Sequence, residues 1–393
     1  SRRIMKYIAK MMLALLASVT LVIPAYAWDF SASGSLSSTF NQTTTKASKD
    51  ADATSSMDVG SEGGAITLKS SHSEGDKSAT LSYSVNYADS GLDETLSISG
   101  SSKVGKWTTT GSVDYNLGWQ TAGTPQGGED AEEITVTDGT LTISLGDGSF
   151  ISSQSTVPGG VASGNVGAYN DDAGIGAYVG APQRVAVGYK MSDTMSASFA
   201  YQADGDAKIF DEIADMDDMG SGYQTTAMGL AVNADVGAKV GFTFASGSQK
   251  SDTSTVDNST SATTMGLGVT LAMGDMTPFL SYGNMSKKGK ESKKNASETA
   301  MGLGLTMKMG SDSVVFAYTT STQKADTDGT DTQNATGTGI ELGYNTTVGA
   351  ATLGVGYGSK SVSADTGTWG DDGTNRKDGY SVTDIEVKMA FSF

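Results

Sequence analysis

The chain has 393 residues with 26 basic and 44 acidic side chains, for a formal net charge of −18. That acidic surplus excludes nucleic acid as a partner, because a phosphate backbone needs a basic face. Cysteine is absent, which excludes disulfides and thiolate metal centres, and His72 is the single imidazole.

The first element is a targeting segment. Arg2, Arg3, Lys6 and Lys10 precede the apolar run from Met11 to Ile23, and Ala25 and Ala27 flank Tyr26 at the two cleavage-determining positions. Residues 1–27 therefore read as a secretory signal peptide that is removed, leaving residues 28–393 as a single domain. Beyond Ala27 no apolar stretch approaches the roughly 20 residues of a transmembrane helix. What recurs is alternation. Trp28, Phe30, Ala32, Gly34, Leu36 and Phe40 alternate with serines, threonine and aspartate, and Ala79, Leu81, Tyr83, Val85 and Tyr87 do the same. Strand side chains point to opposite faces with period two, so these segments are strands with one apolar and one small-polar face.

Alternation predicts eighteen strands, over 28–40, 63–73, 77–88, 92–102, 106–119, 132–138, 139–147, 183–190, 194–203, 223–233, 237–245, 262–272, 276–285, 298–309, 313–321, 336–346, 349–361 and 379–393. In the second half they form a repeat marked by Met228, Met265, Met301 and Ile340. Each unit holds two strands joined by a tight turn, closes on an aromatic (Phe244, Tyr282, Tyr318, Tyr357) and ends in a long polar loop. Short turns at one end and long loops at the other, with an even strand count, predict an all-β fold: a transmembrane antiparallel β-barrel integral to the bacterial outer membrane. The closing strand is the clearest element. Thr383, Ile385, Val387, Met389, Phe391 and Phe393 form its lipid row, and Asp384, Glu386 and Lys388 face the lumen.

The segment from Glu132 to Asp147 has a strand, an Asp138-Gly139 turn and a second strand ending in Leu145-Gly146-Asp147. It resembles the hairpin that leads into the third loop of Gram-negative general diffusion porins, and the pattern extends over nearly the whole exported chain. The resemblance implies a water-filled channel for passive diffusion of small hydrophilic solutes and ions. It implies sixteen strands where alternation counts eighteen, and a long third loop, here about 148–182, folded into the pore. It also implies a homotrimer, and a terminal Phe393 that serves as the assembly signal for the barrel-assembly machinery. On that pattern the pore constriction carries Asp171 and Asp172 on the loop, with Arg184 and Lys190 on the wall of the next strand. Parity adds Lys69, Asp384, Glu386 and Lys388 to the lumen wall. The basic wall is thin and the acidic excess large, so the expected preference is for cations.

No catalytic constellation, cofactor or metal site is expected. His72 lies by parity on the apolar face, and a lipid-side imidazole leaves an outer-membrane hydrolase as a minor reading. The acidic loops, such as Asp326 to Asp331, lack the full calcium-loop spacing. They read as solvated runs that divalent cations would bridge to lipopolysaccharide, which with outer-membrane lipid is an expected partner. The competing reading is a surface-display or adhesive barrel that presents these acidic loops.

Overall fold

The computed structural model describes residues 28–88, 91–117, 128–146, 184–203, 223–251, 259–289, 295–327, 331–364 and 379–393. Residues 1–27, the stretch 148–182 with Asp171 and Asp172, and most of the acidic loop residues lie outside these. Among the described residues there are eighteen strands. The first nine are β1 (Asp29–Lys46), β2 (Ala53–Glu74), β3 (Lys77–Ala88), β4 (Gly91–Val104), β5 (Trp107–Asn116), β6 (Gly128–Thr137), β7 (Leu141–Gly146), β8 (Arg184–Ser192) and β9 (Met195–Ala203). The second nine are β10 (Tyr223–Asp235), β11 (Lys239–Ser251), β12 (Thr260–Thr270), β13 (Met276–Gly289), β14 (Asn295–Met309), β15 (Asp312–Thr327), β16 (Asp331–Val348), β17 (Ala351–Ala364) and β18 (Tyr380–Ser392).

Every strand pairs antiparallel with its sequence neighbours, and β1 pairs with both β2 and β18, so the sheet closes. At the seam the Gly34 N–H donates to the Phe393 carbonyl at 2.9 Å, and the Phe393 N–H donates back to Gly34 at 3.0 Å. Closure is what lipid demands, since an open edge would leave a row of backbone groups with neither water nor partner. The sixteen strands implied by the porin resemblance are overturned. The run 77–119 contains three strands, β3, β4 and β5, each paired over ten or more residues. The long segment after Gly146 is consequently the fourth connection at the loop end, not the third.

The opposite end is closed by tight turns. In the β6–β7 turn, Oδ1 of Asp138 accepts the N–H groups of Leu141 (2.8 Å) and Thr140 (2.9 Å), and Lys106 donates to Oδ2 at 2.9 Å. Gly139 takes φ +88° there, a conformation that side chains rarely adopt. The Leu141 N–H, then Lys106 and Thr140, hold the Asp138 carboxyl down at about 2. A depressed carboxylate contributes above its ordinary value and loses that contribution as pH falls toward the folded value. A carboxyl ¹³C titration of Asp138 is therefore expected to show a midpoint near 2. A midpoint at the ordinary value of about 4 would mean that the network does not form.

Most strands run further toward the loops than alternation predicted. β1 and β2 continue to Lys46 and from Ala53, where a polar loop was expected, and β11, β13 and β15 reach Ser251, Gly289 and Thr327. In the extensions of β11 and β13 outward residues turn from apolar to serine, asparagine and lysine, so the two faces no longer contrast in sequence, whereas the β2 extension keeps Met57 and Val59 outward.

Candidate functional site: the inner wall

The register fixes which residues face inward. On the outer face the described band is apolar and exposed, with Leu36, Ile98, Ile143, Phe199, Met228, Leu303, Leu342 and Ile385 among its members. At its turn-side edge Trp28 stacks on His72, ring centroids 5.5 Å apart, which places the lone imidazole in an aromatic belt facing lipid.

The inner wall has two unlike halves. From β2 to β5 it is lined by hydroxyls. Thr67 and Ser84 are linked at 2.9 Å, Ser78 and Ser101 at 2.7 Å, and Ser82, Ser97, Ser99 and Ser112 face the same way. From β10 to β18 it is lined by glycine, alanine and threonine and is largely covered. Ala231, Ala245, Thr243 and Ala300 are fully buried.

Into this covered half project six nearly inaccessible charges: Asp384 (0 % exposed), Glu386 (1 %), Glu341 (4 %), Lys360 (5 %), Lys287 (5 %) and Glu298 (6 %). Their neighbours in register are small. Glu341 pairs with Gly358, which pairs with Asp384; Glu386 pairs with Gly356; Lys360 pairs with Gly339. Carboxylates on alternate strands thus face one another across a glycine gap with no side chain between. Thr43 donates to Oδ1 of Asp384 at 2.9 Å, whereas Oδ2 has no hydrogen-bond partner among the described residues. A buried carboxylate oxygen left unpaired is costly.

The sequence-derived candidates fall at different depths. Asp384, Glu386 and Lys388 stand on the inner face of β18, as parity indicates, and Lys69 stands on the inner, more open face of β2. Arg184 begins β8 in register with Gly146, itself in register with Glu133. Lys190 does not join it. It lies six residues further along β8, about 20 Å away at strand rise, and donates to Asp193 at 2.7 Å in the turn. Asp193 is held below its ordinary carboxylate value by that hydrogen bond and charge. Parity gives a face but not a depth, so grouping Lys190 with the constriction is corrected. The thin basic wall is corrected too. Lys287 and Lys360 face inward within the covered half, and Lys103, Lys239 and Lys308 face inward at the turn end.

Glu298, Glu341, Lys287 and Lys360 were missed as wall residues. Three were legible by parity alone: Glu341 sits between outward Ile340 and Leu342, Glu298 between Ser297 and Thr299, and Lys360 between Ser359 and Ser361. Lys287 lies in the polar extension of β13. Among the described residues no group of three or more histidine, cysteine or acidic side chains could hold a metal ion.

No protein-family model and no curated protein matches the chain. Its fold is that of solved outer-membrane proteins. An anion-selective porin from Comamonas acidovorans is similar with a TM-score of 0.54 at 14% identity, covering 93% of this chain and 100% of that one. The trimer form of OmpT, an outer-membrane protein of Vibrio cholerae, gives 0.53 at 14%, covering 93% and 100%. The outer-membrane channel DcaP of Acinetobacter baumannii gives 0.52 at 14%, covering 93% and 98%. The chain is a closed β-barrel with the fold of integral outer-membrane proteins.

Proposed function

We propose that the protein is a non-enzymatic channel through which small hydrophilic solutes and ions diffuse passively, with cations preferred. The observation that carries this reading is the inner wall: hydroxyl-lined on one side, with four buried carboxylates against two equally buried lysines on the other. Within that covered half carboxylates outnumber lysines, and a local excess of carboxylate raises the concentration of cations and repels anions. Similar folds include an anion-selective porin, so the sign of the preference belongs to this wall and not to the architecture. Assembly as a homotrimer is part of the proposal, in line with the trimer form of a similar barrel. The further partners are lipopolysaccharide, outer-membrane lipid and the barrel-assembly machinery acting on Phe393. Asp171 and Asp172 remain the loop contribution to the constriction.

The purified barrel in a planar bilayer is expected to give stepwise conductance. Under a tenfold potassium chloride gradient the reversal potential is expected on the cation side. Absence of steps would end the channel reading, and a reversal potential on the anion side would end the cation preference.

A further inference from the structure

We propose that the outer face of β11, β13 and β15, at its loop-side rim, binds the phosphate groups of a phosphorylated glycolipid in the outer leaflet through Lys250, Lys288 and Lys324. The inference rests on the barrel lying in an outer membrane, but not on its conducting.

Three observations converge. The first is direction. Inward positions on these strands are the buried odd-numbered ones, such as Thr243 and Ala245, Ser281 and Met285, and Ala317 and Thr319. Lys250, Lys288 and Lys324 are therefore outward, and all three are exposed. None has a carboxylate within ion-pair distance among the described residues.

The second is level. Along a hydrogen-bonded row the position climbs toward the loops as strand number rises. Leu36, mid-strand in β1, shares a row with Gly64, Tyr87 and Leu92, the last one residue from the loop end of β4. Staying level therefore requires stepping back toward the turns. Lys288 is in row with Ser261 and Ser248, two residues back from Lys250. Lys324 is in row with Ser297, two residues back from Asn295, the row-mate of Lys288. A step of two residues over two strands is about 6.6 Å in about 9.6 Å, close to the 35–45° tilt of barrel strands. The three lysines thus stand at one height along this side of the barrel.

The third is depth. Each lysine stands six residues beyond the outward aromatic of its own strand: Phe244 and Lys250, Tyr282 and Lys288, Tyr318 and Lys324. Six residues on a tilted strand lift the lysines about 15 Å above those rings and about 30 Å above the turns, beyond an apolar band about 25 Å tall. That places them at the level of the headgroups. It suits phosphate carried on a thick saccharide headgroup. The outward residues flanking the lysines in register are Ser261, Asn295, Ser297 and Asn334, whose hydroxyls and amides suit sugars. Near the loop ends of β4 and β6 the outward charges are instead Glu94 and Glu132, so the basic rim is confined to one side.

The test titrates the full barrel in neutral detergent with lipopolysaccharide, the same lipid enzymatically dephosphorylated, phosphatidylglycerol and inorganic phosphate. A basic residue at an anionic lipid surface contributes a factor of about five, so Lys250→Gln, Lys288→Gln and Lys324→Gln together are expected to weaken lipopolysaccharide binding on the order of a hundredfold. Dephosphorylation is expected to match that loss in the wild type. Phosphatidylglycerol is expected to bind more weakly, and millimolar inorganic phosphate is expected not to compete. Undiminished binding by the triple variant, equal binding of phosphatidylglycerol, or displacement by inorganic phosphate would each overturn the proposal. Heat-modifiable gel mobility reports the fold, and if the triple variant fails that check the single variants, each about fivefold weaker, replace it. Channel recordings of the same samples keep the two readings apart: a barrel without conductance that binds through these lysines ends the first and leaves the second.

Discussion

Converting Glu341, Asp384 and Glu386 to their amides together is expected to abolish most of the cation preference, moving the reversal potential toward zero and lowering the cation-to-anion permeability ratio by roughly fivefold or more. The three stand on β16 and β18, separated in register only by glycines of β17, so their fields sum on one patch of wall. A unit charge about 4 Å from a passing ion is worth about 1 kcal/mol even at the dielectric of water, and more beside a low-dielectric wall. The amides keep side-chain volume, so conductance in concentrated salt is expected to stay near wild type while selectivity in dilute salt changes. At about 1 M salt the screening length is only about 3 Å, and the difference between variant and wild type should shrink accordingly. The converse change, Lys360→Gln, is expected to strengthen cation preference. A reversal potential that ignores both changes would mean that ions do not pass this wall.

The sequence carried the two-faced strands plainly because membrane barrels separate lipid from water with a period of two, and β18 shows it over its full length. What alternation could not report was anything set by the third dimension. Lys190 and Arg184 share a face on β8, yet Arg184 sits at the loop end and Lys190 in the turn-side ion pair with Asp193. Glu341 reads as an ordinary lumen residue between Ile340 and Leu342. That it is almost inaccessible depends on what lies opposite and beside it, including Gly358 and Ala317. The loop-side extensions of β11, β13 and β15 escaped detection for a different reason. Above the hydrocarbon both faces are polar, so the periodic signal ends before the strand does. The lysines of the outer rim lie in those extensions. Alternation counted eighteen strands and the resemblance implied sixteen; the contrast is weakest in β3 to β5, which carry serine and threonine inward and glycines outward, Gly100 and Gly111.

Gly304 on β14 is where a single methyl group is expected to cost most. It faces inward in register with Phe279 of β13 and Ala317 of β15. The Phe279 ring lies across it, and a Cβ there would meet both that ring and the backbone carbonyl of Phe316 on β15. The ring can swing, but the carbonyl belongs to the sheet and cannot retreat without breaking register. Glycine under an aromatic is a recognised way to fill the space that a missing side chain leaves on a strand. Phe279 is buried there with Met285, Ala300 and Ala317. Gly304→Ala is expected to destabilise the barrel by about 1–3 kcal/mol through overpacking, read as a lower urea midpoint of unfolding from lipid vesicles. Phe279→Ala is expected to cost about 3–5 kcal/mol through the cavity it leaves. If the ring and the glycine are one packing unit, the double variant loses less than the sum, because the added methyl enters space that the ring has vacated. The part that remains is the collision with the Phe316 carbonyl. Strict additivity would show that the ring does not rest on Gly304. A Gly304→Ala barrel as stable as wild type would show that β14 and β15 are further apart at this row than their hydrogen bonding implies.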